Sequence, residues 1–184
     1  MFDAFINAFK VPDLRKKILF TLFIIAIYRF GSHIPVAGID VKAARSLAGI
    51  NNGALGLLNL FSGGALTQLA VFALGIMPYI TASIIMQLLA VVIPKIEEWQ
   101  KEGEIGMKKI TQWTRYMTVG LAILQSTGLA FLFHNGGLTN AQGNPVDLIP
   151  HFTPFRVGLI VLTLTAGTAL IMWLAELVTT RGIG

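Results

Sequence analysis

Cysteine is absent from this sequence, and charged residues are scarce. None of the 184 residues is cysteine, which excludes disulfides, thiol chemistry and cysteine-ligated metals. Only 12% of the residues are charged, whereas 54% are apolar. Soluble domains carry roughly 25% charged residues, so a water-exposed globule of this composition would aggregate. The composition therefore predicts an all-α protein that lies in a membrane.

Four apolar stretches come close to the about 20 residues that a helix needs to cross a hydrocarbon core. We place membrane spans at residues 18–34, 65–93, 113–133 and 155–178, with a short re-entrant segment at 54–64. The connections are then residues 1–17, 35–53, 94–112 and 134–154. The first stretch follows three basic residues, as in a secretory signal. No small-residue cleavage site comes after it, so we predict a permanent span.

The basic residues are distributed unevenly between the two sides of this topology. With a cytoplasmic amino terminus, ten of the 14 Lys and Arg residues lie inside and four, Arg29, Lys42, Arg45 and Arg156, lie outside. Cytoplasmic flanks collect Lys and Arg, so both ends of the chain are predicted to be inside. The net charge of +5 then reflects topology and contact with anionic lipid headgroups, and no recognised nucleic-acid-binding signature accompanies it.

Residues 59–87 interrupt the pattern of a simple membrane span with a glycine pair and a proline. Residues 54–61 would form a helix of only about 12 Å, which is too short to cross the bilayer. Residues 62–64 then let the chain turn back. We predict that the helix resumes at residue 65 or 66 and continues past Pro78 to residue 93, with a bend near Leu74. Irregular backbone at membrane depth needs protein or a water-filled cavity around it, so this segment favours a pathway through the bilayer.

The connecting segments carry weaker signals. Residues 1–11 have the spacing of a short amphipathic interfacial helix, although a frayed helical tail fits them equally well. Residues 35–53 have the composition of a loop with one short helix near 41–47. Residues 94–112 contain four acids and four lysines and indicate a solvated connection. Its Gly103, Gly106 and Lys108 lack the spacing of a phosphate-binding loop.

Gln87, Gln125 and Glu176 are three of the polar side chains in the predicted spans. Gln87 is too deep to be an interface anchor, and either a functional role or an interhelical hydrogen bond accounts for it. Gln125 lies near the middle of the third span, beside small residues that favour close helix packing. Glu176 lies close to the interface, where pairing with a nearby basic group is favoured over a proton or ion site. The three histidines lack zinc-binding spacing.

The segments NLFSGGAL, FALGIMPYI, KEGE, TRY and MWLAELVTTRGIG resemble, in their order and spacing, the SecY family of bacterial protein-conducting channel subunits. The resemblance extends from residue 20 to residue 184. It implies that residues 54–64 form a plug helix that seals the outer side of a pore. The implied plug residues are Leu57, Leu58, Asn59, Phe61, Ser62, Gly63 and Gly64.

The resemblance also implies a pore ring and a lateral gate. Ile76 and Ile80 match two positions of an aliphatic constriction, and their spacing of four places both on one helix face. Without the motif, two isoleucines in a membrane helix would be expected to face lipid. The implied gate residues are Thr81, Ile84, Ile85 and Gln87, with Gln125 of the third span as a polar partner.

The resemblance implies partners and a location as well. The partners are the SecE and SecG subunits, the SecA ATPase or the ribosome, signal sequences, nascent polypeptides and the lipid bilayer. The location is the bacterial cytoplasmic membrane, and the protein is expected to be a passive pore without enzymatic activity, cofactor or metal. Family members have ten spans in two inverted halves. Four spans would therefore be a fragment that supplies one wall of the pore.

Two functions of other classes remain open from the residues alone. Half of a small-solute transporter could use the broken helix as a substrate site, but it would carry ionisable groups at the membrane midplane. Arg29, Arg156 and Glu176 all fall near span ends instead. A non-conducting scaffold of helices is the other alternative, because half a pore encloses nothing.

Overall fold

A computed structural model describes residues 12–39, 54–66, 69–135, 147–149 and 152–182. Every regular element in these ranges is a helix, which confirms the prediction of an all-α protein. The helices are α1 (Pro12–Gly31), α2 (Ala54–Phe61), α3 (Met77–Val92), α4 (Pro94–Lys101), α5 (Glu104–His134) and α6 (Pro154–Arg181). The predicted interfacial segment at 1–11, the short helix near 41–47 and most of the loop at 134–154 lie outside the described residues.

Two of the described helices, α5 and α6, are individually long and apolar enough to cross a membrane. Helices α3 and α4 add a third span only if they are taken together, and they meet at an angle of 101°. Helix α1 has basic residues at 15–17 and at 29, so only residues 18–28 between them are free of charge. Four complete spans therefore remain a prediction.

The bundle is built around the pairing of α5 with α6, which is the most extensive helix contact in the described chain. Helix α3 packs on α5, and α1 packs on α6. The buried positions of the two helices recur at helical spacing and include Ala122, Ser126 and Ala130 on α5 and Ile160, Leu164, Gly167 and Ile171 on α6. Small residues at such positions let two membrane helices approach closely.

The described residues between α2 and α3 are not helical. We had expected a helix from residue 65 or 66 through Pro78, and this prediction is wrong. Residues 62–66 and 69–76 form consecutive turns, called here the irregular segment, and α3 begins only at Met77. Leu69 has φ = 46° and Gly75 has φ = 58°, and neither value fits a right-handed helix. Pro78 lies in the first turn of α3, where its missing amide hydrogen has no helical partner to lose, so no bend near Leu74 arises.

The connection predicted at 94–112 is mostly helical. It contains α4 and the first turns of α5, which begins at Glu104 rather than at residue 113. The two helices are joined tightly, because Gly106 lies against the backbone carbonyl of Trp99 and a Cβ atom there would overlap with it. On the exposed side of α4, Lys101 contacts Glu97 at 2.6 Å, and this hydrogen bond lowers the pKa of the Glu97 carboxyl group.

Gly167 provides a test of the α6 packing. A Cβ atom at this position would overlap with the backbone carbonyl oxygen of Val71. Gly167→Ala should therefore destabilise the protein by about 1–3 kcal/mol, seen as a lower melting temperature in detergent. Gly158 of the same helix has open space around its Cα atom. Gly158→Ala should leave the melting temperature unchanged or raise it, because alanine favours a helix. Equal effects of the two variants would contradict the packing described here.

Candidate functional site

The short helix α2 ends in a reversal built from two glycines. The amide of Gly63 donates to the carbonyl of Leu60 at 3.1 Å, and the amide of Gly64 donates to that of Asn59 at 2.9 Å. These two bonds form a Schellman motif, which needs a left-handed residue after the helix, and Gly63 has φ = 61°. The Ser62 hydroxyl donates to the Asn59 carbonyl and accepts from the amide of Leu66. The polar backbone groups at this turn are thus largely satisfied internally.

The irregular segment is then tied to the end of α1. The amide of Val36 donates to the carbonyl of Leu69, and the amide of Val71 donates to that of Ile34, both at 2.9 Å. These bonds form a short antiparallel bridge between Pro35 and Ala70. The segment is also deeply buried, with Ala65, Leu66, Leu69, Ala70, Phe72, Ala73 and Leu74 all nearly inaccessible to solvent. Protein therefore surrounds the backbone that a bilayer could not solvate.

Two side chains of α1 contact the irregular segment at separate points. Tyr28 stacks on Phe72 with ring centroids 5.6 Å apart, and Gly31 leaves the space that the Phe72 ring occupies. Arg29 Nη1 donates to the Gly63 carbonyl at 2.9 Å. The end of α1 therefore contacts both the reversal after α2 and the chain that leads into α3.

An apolar cleft of about 290 Å³ lies beneath the reversal. Phe61 at the end of α2 and Ile76 at the start of α3 both line it, together with residues of α1 and residues 171–178 of α6. No lining side chain is charged. Ile80 follows Ile76 by one helical turn, and 38% of its surface is exposed. The structure thus brings a predicted plug residue and a predicted pore-ring residue to the same cleft.

The sequence model of the SecY family matches residues 70–184, more than half of the chain. The chain belongs to the SecY family. It is 55% identical over its whole length to the protein translocase subunit SecY of Streptomyces scabiei and to that of Streptomyces coelicolor, covering 43% of each. Its identity to the corresponding subunit of Mycobacterium tuberculosis is 50%, over 42% of that protein. The chain therefore spans less than half the length of the curated relatives it matches.

The remaining residues that the SecY resemblance assigned to the plug lie on α2 and its reversal. Leu57 and Phe61 are exposed, Asn59 is half-buried, and Ser62 is buried beneath the turn. The Leu58 side chain lies outside the described part of the structure. Helix α2 is thus largely apolar, and the described residues leave part of its surface uncovered.

The residues that the SecY resemblance assigned to the gate lie on α3, except for Gln125. Thr81 donates to the Met77 carbonyl at 3.0 Å, Ile84 is exposed and Ile85 is half-buried. Gln87 lines a polar pocket of about 240 Å³ between α3, α4 and α5, with Thr114 on the α5 side. Gln125 is eleven residues beyond Thr114, or about 16 Å along α5. The structure therefore does not bring Gln125 and Gln87 together.

Sequence reasoning did not identify several residues that form these contacts. Tyr79 and Ser83 line the polar pocket beside Gln87, at spacings of four and eight along α3 that could have identified them. Arg29 is 34 positions from Gly63, and no local pattern connects them.

Glu176 was expected to pair with a basic group, and Arg115 is that partner. Arg115 Nε donates to Oε1 at 2.8 Å and Nη2 to Oε2 at 2.5 Å. The described residues hold no group of three metal-ligating side chains.

The Arg115–Glu176 pair joins α5 to α6 and can be tested by a double-mutant cycle. Arg115→Gln, Glu176→Gln and the double variant should give a coupling energy of about 1 kcal/mol in thermal unfolding, because each single change breaks the same two-contact ion pair. Arg181→Gln is the control, since Arg181 is exposed at the end of α6 and makes no ion pair with a described residue. A coupling energy near zero would show that the pair does not stabilise the bundle.

Proposed function

We propose that this chain forms one wall of a protein-conducting channel. The channel would move secretory proteins across the bacterial cytoplasmic membrane and release membrane segments sideways into it. The observation that supports this most directly is the cleft shared by Phe61 and Ile76. A short apolar helix that turns back through Gly63 and ends over a pore-ring position has the arrangement of a plug above a constriction. The names of the relatives, protein translocase subunits, agree with this function.

The chemistry of the cleft suits a seal around polypeptides of varied sequence. A helical polypeptide is about 10 Å wide with its side chains, so the constriction must widen or adapt as a chain passes. Apolar side chains such as Ile76 and Ile80 can do this, because they demand no specific hydrogen bonds from the chain. The absence of charge in the lining argues against an ion or substrate site there.

An exposed stripe on α3 supports a role at an interface that the described residues do not complete. Ile80, Ile84 and Leu88 recur at intervals of four residues along α3, so neighbouring members of this series share a helix face, and Ile76 lies just before the helix begins. Their exposure rises along the helix, from half-buried at Ile76 to 63% at Leu88. We propose that this stripe and the neighbouring Thr81, Ile85 and Gln87 form one side of a lateral gate for signal sequences and membrane segments.

The proposed channel acts with partners and performs no chemical step itself. Translocation would be driven by the SecA ATPase or the ribosome, and the SecE and SecG subunits would complete the complex. We propose a cytoplasmic amino terminus, because ten of the 14 basic residues then lie on the cytoplasmic side. In this orientation α2 and the end of α1 face the outer side of the membrane.

The pore ring is tested by ion leak. The experiment uses a chimera in which this chain replaces the matching 43% of the Streptomyces coelicolor subunit, assembled with its partner subunits in planar bilayers. Ile76→Ser and Ile80→Ser should each raise the resting conductance several-fold, because a hydroxyl lets water enter the constriction. Leu162→Ser on the exposed face of α6 is the control and should have no effect. Unchanged conductance in both ring variants would remove these residues from the seal.

The path of the translocating chain is tested by crosslinking. This chain has no cysteine, so a cysteine introduced at Ile80 or at Thr81 reports on that one position. The rest of the chimera must also be free of cysteine. A stalled secretory chain with one cysteine should form a disulfide with position 80 along its mature part and with position 81 in its signal sequence. Position 162 should form none. The absence of crosslinks at 80 and 81 during active secretion would leave these helices as a scaffold.

A further inference from the structure

We propose that Arg29 is a positioning residue that holds the plug segment, residues 54–64, over the cleft by its hydrogen bond to the Gly63 carbonyl. The proposal rests on the proposed channel function, and it adds a residue outside the plug that determines whether the plug stays in place. Its basis is the geometry of the contact between the end of α1 and the reversal after α2.

The carbonyl that accepts the hydrogen bond from Arg29 belongs to Gly63, the residue at which the chain reverses direction after α2. Gly63 is the left-handed residue of the reversal, and its amide is already bonded to Leu60. Its carbonyl accepts from Arg29 Nη1 at 2.9 Å. A hydrogen bond from a charged donor is roughly twice as strong as one between neutral groups. Arg29 forms no ion pair with a carboxylate in the described residues, so its charge is directed at this peptide group.

Arg29 itself is held in place by its neighbours. The Ser32 hydroxyl donates to the Arg29 carbonyl at 2.7 Å, and His33 Nδ1 lies 2.8 Å from the same oxygen. A cation in the last turn of a helix is also favoured by the helix dipole. Tyr28 stacks on Phe72 and so fixes the orientation of this turn of α1. The guanidinium group therefore extends from a rigid base.

The contacts of α1 divide into two groups with different consequences. The bridge to residues 69–71 and the stacking on Phe72 hold the buried part of the irregular segment, which also packs against Gly167 of α6. Arg29 instead contacts the exposed reversal that carries α2. Loss of its hydrogen bond should therefore loosen the reversal and the plug segment that it carries, while the bridge and the stacking still hold the buried segment and the start of α3.

The contact is suited to reversible opening. Arg29 and Gly63 are both exposed, so water can hydrate the guanidinium group and the carbonyl once they separate. Opening then breaks a charged hydrogen bond without burying an unpaired charge. The plug segment is held at rest and can still be displaced by an entering polypeptide.

The position of the plug is measured by crosslinking in resting membranes. The chimera described above carries Phe61→Cys and Ile76→Cys, which line the same cleft and can be joined by a short bifunctional maleimide. Arg29→Gln should lower the initial crosslinking rate about tenfold, as expected for loss of a charged hydrogen bond. Arg29→Lys keeps a charged donor and should recover much of the rate. Arg156→Gln removes another basic residue of the proposed outer side and should leave the rate unchanged.

The resting ion conductance of the same Arg29 variants, with the native residues at positions 61 and 76, separates the two proposals. A rise in Arg29→Gln, reversed in Arg29→Lys, supports the positioning role. The positioning role is overturned if Arg29→Gln leaves the crosslinking rate unchanged. It is also overturned if the crosslinking rate falls equally in Arg29→Gln, Arg29→Lys and Arg156→Gln, because that result would indicate general destabilisation. If Ile76→Ser leaks ions and Arg29→Gln changes neither quantity, the positioning role alone fails. If the ring variants do not leak while crosslinking still depends on Arg29, the channel assignment fails and the contact stands.

Discussion

The requirement that backbone amides be hydrogen-bonded away from water governs this structure. Within the described residues, the chain leaves helical geometry between α2 and α3 and remains irregular up to Ile76. A bilayer offers such backbone no partners, so the protein must supply them. The Schellman motif at Gly63 and the bridge to Pro35 do so in succession. The end of α1 is therefore as much a part of the site as α2 and α3 are.

The α5–α6 pair gives this irregular segment a rigid support. Leu66, Leu69 and Leu74 pack into the same apolar cluster as Phe133 of α5 and Leu164 of α6. Gly167 allows the Val71 backbone to approach α6 more closely than any side chain would permit. The Arg115–Glu176 pair joins the same two helices some distance away along the bundle. The packing of α5 with α6 thus supports the irregular segment from one side.

Hydropathy and the positions of glycine and proline in the sequence were sufficient to predict part of this arrangement. The short apolar run before the glycine pair predicted α2 and its reversal, because too few residues are present to cross a bilayer. The hydropathy pattern wrongly predicted a helix after the reversal. Hydropathy reports burial, and the irregular segment is as deeply buried as a helix in the core. Leu69 has a positive φ although leucine favours helices, and only its tertiary contacts explain this. The Arg29–Gly63 contact joins residues 34 positions apart, and the site geometry that depends on it could not be predicted from local spacing.

The near-perpendicular junction at Ile93 restricts how α3 can move. Ile96 of α4 is buried against Met86 and Ala90 of α3, while Trp99 of α4 meets Gly106 of α5 and lies beneath Lys109. Helices α3 and α5 are thus joined through α4 at the Val92 end of α3. At the other end, Ala73 and Leu74 lie in the same buried cluster as Phe133 of α5, and Ile76 packs against the cluster that contains Phe72. Helix α3 is therefore held at both ends, and Ile76 can move relative to α5 only together with the buried chain that precedes it.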